Sequence, residues 1–352
     1  MIKRRKTVFV KVGSVKIGSR HPVAIQSMTK VPTTDIGRCV RQIEQLIAAG
    51  CHLVRVAVPT QADTAAFAEI VQKVNIPLIA DVHFSPARAI EAIEAGAAKI
   101  RLNPGNIKNH RDILRIIDAC KMHRTAVRIG INEASIRDLK KNNVPAKNRT
   151  ALMLKEMQKY VKIFENRSFT ALVLSAKSSD VSRTIKINRK IAQAFDYPVH
   201  VGLTHAGLQE EARIPSAVAL GTLLAEGIGD TVRVSLAGDP IQEVRIAKDI
   251  LASLGLYSER RLELVVCPTC ARAQINVVSL ARKVKKALAK IDKPLRVAVM
   301  GCVVNGPGEA ADADLAVCCA KAKGFIYRRG KKIAIVPEEK IIPTLLGELD
   351  KF

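Results

Sequence analysis

The chain contains no tryptophan, and aromatic residues make up only 3% of it. Platforms on which unpaired bases could stack are therefore scarce. Long apolar runs are missing as well: no stretch of about 18 residues is apolar enough to predict a membrane-spanning helix. Behind the basic start Met1-Ile2-Lys3-Arg4-Arg5-Lys6, residues 7–15 alternate polar and apolar types, which predicts a short hairpin and not an export signal. Acidic residues are in deficit, 32 Asp and Glu against 57 Lys and Arg, for a formal net charge of +25. The excess is spread, +8 from Ser258 onward and +17 before it, and forms no basic tail. Diffuse charge without stacking aromatics argues against nucleic acid as the main partner, and fits an acidic protein or a phosphorylated small molecule. With neither export signal nor membrane span expected, the chain is assigned to the cytoplasm, where its eight cysteines serve as metal ligands or core residues and not as disulfides. Cys39, Cys51 and Cys120 lie in apolar patterns and read as core. The adjacent Cys318 and Cys319 read as structural, with oxidation sensitivity as the alternative.

A Gly-x-Gly-x-x-Gly turn is absent after the first apolar run, which removes support for an open dinucleotide-binding sheet. What is there instead is a repeat. Eight short β-branched runs, at 23–29, 54–59, 78–84, 99–105, 126–132, 171–177, 199–205 and 231–237, are each followed by a helical stretch. Amphipathic segments such as 36–49, 62–73, 86–95, 107–122 and 181–194 fill the intervals, and Gly50 and Gly96 close two of them. Eight strands alternating with helices over about 250 residues predict an α/β fold built on a closed (β/α)8 TIM barrel. At 352 residues a second domain is expected, with the barrel over 1–257 and a smaller α+β domain over 258–352.

Functional residues of such barrels sit at the C-terminal ends of the strands. Here those ends carry Arg55, Arg101 with Asn103, Arg128 with Asn132, Lys177, and Arg233 with Ser235. Residues two or four apart on a strand share a face, so each of these pairs points one way. A lone arginine on a strand usually reads as a solvated edge or an ion pair with a helix. Five strands delivering a cation to one end do not, because unpaired buried charges cost several kcal/mol and repel each other. A polyanion such as a phosphate or diphosphate ester resolves the conflict, and the forked donors of arginine suit it. Asp81 and His83 share a face of the third run and read either as an acid, base or orienting pair, or as a bonded pair that holds a loop.

Beyond Tyr257 the repeat ends, with a linker read at 257–261. A helix is expected at 277–290 and strands at 295–300, 324–327 and 332–336. Cys267-Pro268-Thr269-Cys270 is followed after 31 residues by Cys302, inside Met300-Gly301-Cys302-Val303-Val304-Asn305-Gly306-Pro307-Gly308-Glu309. A structural zinc site usually offers two ligand pairs, and only one Cys-x-x-Cys pair is present; zinc on three thiolates and Glu309 stays open. The other reading is an iron-sulfur cluster with three thiolate corners and Glu309 on the fourth iron. A carboxylate leaves iron more readily than a thiolate, so a substrate oxygen could replace it.

These motifs, together with Gln26-Ser27-Met28-Thr29, Val54-Arg55-Val56-Ala57-Val58-Pro59, Ile100-Arg101-Leu102-Asn103-Pro104-Gly105-Asn106 and Gly229-Asp230-Thr231-Val232-Arg233-Val234-Ser235-Leu236, resemble one family over nearly the whole length. It is the bacterial 4-hydroxy-3-methylbut-2-en-1-yl diphosphate synthase family of the methylerythritol phosphate route to isoprenoids. The resemblance implies the compact form, a TIM barrel followed by an iron-sulfur domain, with a 4Fe-4S cluster on Cys267, Cys270, Cys302 and Glu309. It implies reductive ring opening and dehydroxylation of 2-C-methyl-D-erythritol 2,4-cyclodiphosphate, with ferredoxin or flavodoxin as electron donor. It also implies a homodimer in which one subunit's cluster closes over the other's barrel mouth. By motif match Arg55, Arg101, Asn103, Arg128, Asn132, Lys177, Arg233, Ser235 and Asn305 bind the diphosphate, while Glu309, His205, Asp81 and His83 are the catalytic candidates. Where the family has Thr-Glu-Ala-Gly, this chain has Thr204-His205-Ala206-Gly207; Glu133-Ala134 replaces a Ser-Gly type pair, and Pro215 stands in place of an expected Lys. These departures keep open a divergent 4Fe-4S reductase acting on another phosphorylated substrate.

Overall fold

A computed structural model describes the chain except for residues 1, 19, 84, 104–106, 108, 137–143, 205–206, 258–261, 290 and 292–294. The chain divides into two compact units, Met1–Ser258 and Glu259–Phe352, against an expected division after Tyr257. Most of the 257–261 linker lies outside the described residues.

The first unit opens with the expected hairpin, β1 (Val10–Val12) and β2 (Val15–Ile17). Eight parallel strands follow: β3 (Ala24–Met28), β4 (Leu53–Ala57), β5 (Leu78–Asp81), β6 (Lys99–Leu102), β7 (Ala126–Asn132), β8 (Leu172–Lys177), β9 (His200–Val201) and β10 (Thr231–Val232). They pair in ring order from β3 to β8, with β10 joining β3 to β9, and a bridge from Leu174 to Val199 closes the barrel. The last two runs give strands of only two residues. The regular ladder ends at Val201 and Val232, and a further bond runs from Arg233 N–H to Val201 O at 3.1 Å.

Helices α1 (Ile36–Ala48), α2 (Gln61–Lys73), α3 (Pro86–Glu94), α4 (His110–Met122), α5 (Ala146–Glu165), α6 (Val181–Ala194), α7 (Gln209–Ala225) and α8 (Pro240–Ser253) fill the intervals. Their starts are written in the sequence. Asp35, Thr60, Ser85, Asn109, Asp180 and Asp239 each accept a backbone N–H of the first turn, and Thr60 with Asp63 forms a complete capping box. The cap at Asn109 is why the expected helix at 107–122 begins at His110. Pro215 lies inside α7, where it withholds one ladder donor.

Strand residues facing outward, such as Val54, Val56, Leu78 and Ile100, pack with the helices into one large core. Those facing inward at the N-terminal end, Ala24, Leu53, Ile79, Ala126 and Val173, form an apolar floor, and Val10, Val12 and Ile17 of the hairpin seal it from below. The floor leaves the other end of the barrel as the opening.

In the second unit β11 (Glu263–Val266), β12 (Arg296–Met300) and β13 (Leu315–Ala320) run parallel, while β14 (Lys323–Arg328) and β15 (Lys331–Pro337) complete the sheet antiparallel. Helix α9 (Val277–Leu288), a short turn α10 (Gly306–Glu309) and helix α11 (Ile341–Leu349) accompany it. The strand β13 and helix α11 were not anticipated. Val277, Leu280, Val284, Ile341 and Leu345 cover one face of the sheet with Val297, Val317 and Cys319; the other face holds Ala298, Met300, Ala316 and Cys318. Adjacent on β13, Cys318 and Cys319 thus point to opposite faces, and burial pushes both thiols up to about 12. Cys39, Cys51 and Cys120 are buried in the barrel unit, and burial likewise raises each of them. These five are core residues, as expected.

Candidate active site

The inward-facing residues at the C-terminal strand ends converge on a cavity of about 250 Å³. Arg55, Arg101, Arg128, Lys177 and Arg233 line it, together with Asp81, His83, Asn132, Ser175 and Ser235. Five cations thus face one carboxylate among the described lining residues. Asp81 Oδ2 lies 3.6 Å from Arg55 Nε, and its Oδ1 lies 3.5 Å from Arg101 Nη1. Burial opposes its ionisation, but Arg55 and Arg101 outweigh burial and hold the carboxyl below its ordinary value. Arg101 Nη1 also lies 3.3 Å from His83 Nε2, and burial, reinforced by Arg101 and Arg55, pulls that imidazole below its usual range. Asp81 and His83 therefore act as an ionised tether and a neutral ring beside the cavity.

Arg128 and Lys177 have little to neutralise them. Burial, then Arg55 and Arg101, pulls Arg128 well below the ordinary arginine value, and Nε and Nη1 of this guanidinium have no hydrogen-bond partner. Lys177 is lowered by burial and by Arg128 and Arg233, and Arg55 is lowered to about 10, again by burial first. Small neutral groups make room for them. A Cβ on Gly202 would stand 2.7 Å from Lys177 Nζ and 2.6 Å from the Arg233 carbonyl oxygen, so only glycine fits there. The Met28 thioether accepts from Arg55 Nε at 3.1 Å and faces Arg233 Nη1 at 3.7 Å, an uncharged spacer between two guanidiniums.

Sequence reasoning missed two supports of this site. Glu243 of α8, fully buried, takes both Nε and Nη2 of Arg233 at 3.0 and 3.2 Å, accepts from Ser27 Oγ at 2.9 Å, and pairs with Lys30 Nζ at 3.0 Å. In the sequence it is an acidic residue in the first turn of a helix and looks like a dipole partner. Glu133, noted only as a departure, joins β7 to β8. It accepts from Ser178 Oγ at 2.5 Å, from Arg183 Nη1 at 2.8 Å and from Arg149 Nη1 at 3.0 Å. Burial works against its charge, but these three donors hold it below the usual glutamate value. It stays ionised and is no proton donor. Asn103 is buried at the end of β6 and borders a small separate hollow with Ile107 and Tyr160. His205 and the Pro104-Gly105-Asn106 motif lie outside the described residues.

The cysteine motifs form the second candidate region. Cys267 and Cys302 directly or nearly follow the neighbouring parallel strands β11 and β12, and Cys267 N–H donates to Val299 O at 2.9 Å. The Cys302 thiol is lowered first by the backbone N–H groups of Asn305 and Val304, with Gly306 helping, an environment that favours thiolate. Cys270 is exposed, and Glu309 and Asn305 lie exposed on and before α10. Thr269 between the paired cysteines takes a left-handed backbone, φ 64°, rare for a β-branched residue. Among the described residues no three His, Cys, Asp or Glu side chains are gathered closely enough to hold an ion. The fit rests on donor chemistry: two accessible cysteines, a third with thiolate-stabilising amides, and a carboxylate on the turn α10 that follows Cys302 in the chain.

Two family models match the chain: the GcpE TIM-barrel domain over residues 7–248 and the GcpE protein C-terminal domain over 263–351. A 4-hydroxy-3-methylbut-2-en-1-yl diphosphate synthase (flavodoxin) of Symbiobacterium thermophilum is 46% identical over 348 residues, covering 98% of this chain and 93% of its own length. The enzyme of the same name from Caldanaerobacter subterraneus subsp. tengcongensis is 44% identical, covering 100% of this chain and 99% of its own. Among solved structures, dihydropteroate synthase of Yersinia pestis superposes with a TM-score of 0.52 at 11% identity, over 70% of this chain and 100% of that one, a likeness of barrel fold alone. With both units matched and full-length relatives at 44 to 46% identity, the chain belongs to the GcpE family.

Proposed function

We propose that the chain is a 4-hydroxy-3-methylbut-2-en-1-yl diphosphate synthase, which reductively opens 2-C-methyl-D-erythritol 2,4-cyclodiphosphate and releases one oxygen as water. The carrying observation is the barrel mouth, where five buried or half-buried cations face a single carboxylate among the described lining residues. That arrangement is unfavourable when empty and becomes complementary once a diphosphate enters. Arg55, Arg101, Arg128, Lys177 and Arg233 hold the phosphoryl oxygens, Asn132 and Ser235 donate from the rim, and Asn103 supports the β6 end from behind. Glu243 fixes the Arg233 fork, so the ligand meets an oriented donor pair. Asp81 keeps Arg55 and Arg101 in place, and the neutral His83 ring is the described group able to pass a proton at the mouth.

The reaction consumes two electrons and two protons per molecule of water released. Cys267, Cys270, Cys302 and Glu309 are the residues that would hold a 4Fe-4S group, with Asn305 beside them. When bound, such a group supplies electrons singly and a Lewis-acidic iron. The reading includes a reduced flavodoxin as donor, with ferredoxin as the alternative, a homodimer, and a cytoplasmic location. No described helix is long and apolar enough to cross a membrane.

The test is anaerobic purification with iron and sulfide analysis, followed by assay with the cyclodiphosphate and a strong reductant. About four iron and four sulfide per chain with formation of the allylic diphosphate is expected. An intact cluster without turnover would reject this substrate in favour of another phosphorylated one; a colourless protein carrying one zinc would reject the cofactor.

A further inference from the structure

Below the mouth, one residue does not belong to the floor it stands in. Lys99 opens β6 and pairs in register with Ile79 on β5 and Ala126 on β7, two members of the apolar ring. Its side chain faces inward like that of Arg101, two residues on. It is completely buried, and its Nζ has no hydrogen-bond partner. Other inward polar groups share this interior: Gln26 of β3, with both amide atoms unpartnered, and His200 of β9, whose Nδ1 lies 2.7 Å from Thr231 Oγ1 while Nε2 is unpartnered.

The titratable groups facing Lys99 are almost all bases. Arg101 lies on its strand, Arg128 on β7, Arg55 on β4, Lys177 on β8 and His200 on β9. Asp81 on β5 is the one described carboxylate facing this space, and it already serves Arg55, Arg101 and His83. A buried ammonium with neither a hydrogen bond nor a counter-charge is not tolerated in an empty barrel, so the group rests as a neutral amine. The direction agrees: burial lowers Lys99 well below the lysine value, and Arg128 and Arg55 lower it further.

A polyanion in the mouth offsets the positive field at Nζ. Resting on the diphosphate reading of the mouth, we propose that Lys99 is a further functional residue of this site, a buried amine that takes one proton from solvent when a diphosphate binds above it. The step forms one N–H bond, converting R–NH2 and H+ to R–NH3+, and breaks none. Linkage then works both ways: anion affinity weakens with rising pH, by up to about tenfold per pH unit for each coupled proton. The reaction consumes protons, and this coupling loads one into the barrel with the substrate. Lys177, which lines the cavity itself, is subject to the same field, so Lys99 contributes one share of the uptake.

The test is calorimetric titration of the full-length protein with inorganic pyrophosphate at pH 8, in two buffers of different ionisation enthalpy. Heat differences give protons taken up per anion bound, and proton release by pyrophosphate itself cancels between proteins. Wild type is expected to take up about one proton more than Lys99→Met, while both bind pyrophosphate. Equal uptake in the two proteins overturns the proposal; absence of binding to wild type overturns the reading of the mouth instead. A second measurement needs no substitution. In protein labelled at lysine 13Cε, a neutral-amine resonance at pH 8 should move to the ammonium position on adding pyrophosphate, and a spectrum in which every lysine is already ammonium before the addition refutes the idea.

Discussion

The barrel mouth and the cysteine loops are built on the same principle and left in opposite states. Each gathers its chemistry at the C-terminal ends of parallel strands. In the barrel Arg55, Asp81, Arg101, Arg128, Asn132 and Lys177 belong to the strands themselves, so hydrogen-bonded register and buried neighbours fix them. In the smaller unit the cysteines sit on the loops after β11 and β12, Cys302 buried, Cys267 half-buried and Cys270 exposed, and the described side chains are not gathered. The barrel mouth carries an electrostatic cost built into its strands, whereas the cysteine loops carry donor groups that their own packing does not bring together.

The largest effect should come from the loop site. Cys270→Ala should lose iron and sulfide and reduce turnover by more than about 100-fold, since removal of a direct ligand exceeds the loss typical of an indirect support. Pyrophosphate binding should survive, because the mouth is built without the cysteines; loss of both functions together would break the comparison. Glu309→Ala should retain iron while turnover falls, and full activity in that variant contradicts its assignment.

Next comes a change that separates stored cost from binding. Arg128 is 2% exposed and has two unpartnered donors. Arg128→Met should weaken pyrophosphate binding by about 30-fold or more, the loss of a buried charge contact. It should also raise the stability of the ligand-free protein by about 1 kcal/mol or more, because an apolar side chain of similar length removes an uncompensated charge. A variant that melts lower than wild type while binding normally would mean the mouth holds no such cost.

The same cost sets a pH dependence. Lys99 and Lys177 are bases held well below their ordinary values in the folded chain. Between those lowered values and the ordinary ones the unfolded chain carries more protons, so stability rises with pH, by up to about 1.4 kcal/mol per pH unit for each group that titrates differently. Asp81 and Glu133 act on the acid side, where the stability they contribute is lost as pH falls through their lowered values. Thermal melting between pH 7 and 9 should climb without ligand and flatten with saturating pyrophosphate. A flat profile in both conditions would contradict the reading of the barrel as a store of unpaired charge.

Much of this site was legible because a barrel turns a one-dimensional pattern into a ring. Once the eight runs are recognised, Arg55, Arg101, Arg128, Lys177 and Arg233 each fall within or at the end of a run, and the rule that strand ends carry chemistry brings them together. Lys99 escaped because it begins its run, where a charged residue looks like the edge of a strand and not the interior of a floor. Glu243 escaped for a related reason: its role depends on which helix face meets the Ser27 side of β3, a tertiary fact with no local mark. β13 was hidden by its own composition, since Leu315-Ala316-Val317-Cys318-Cys319-Ala320 is apolar throughout and gives no alternation to read. Glu133 attracted notice only as a mismatch, and the structure gives it a role. With three donors it ties the ends of β7 and β8, which carry Asn132 and Lys177. Glu133→Gln keeps shape but loses charge, and should cost about 1 to 2 kcal/mol of stability while raising KM more than it lowers kcat.

The smallest expected effect returns to the loops. Thr269 holds a left-handed conformation, φ 64°, and its own Oγ1 donates to the Pro268 carbonyl at 2.6 Å, a local bond that offsets part of the strain. For a β-branched residue that conformation costs roughly 1 to 2 kcal/mol, and glycine escapes it. Glycine also frees the unfolded chain, which cancels part of the gain. Thr269→Gly should therefore raise the stability of the metal-free second unit by only about 0.5 kcal/mol, read from its denaturant midpoint, and should speed iron loss from loaded protein because the loop is less constrained. If iron were instead held more tightly, the left-handed turn would be working against the ligand. The loops would then share the barrel's character, a geometry fixed in advance at a cost, and the contrast between the two sites would fail.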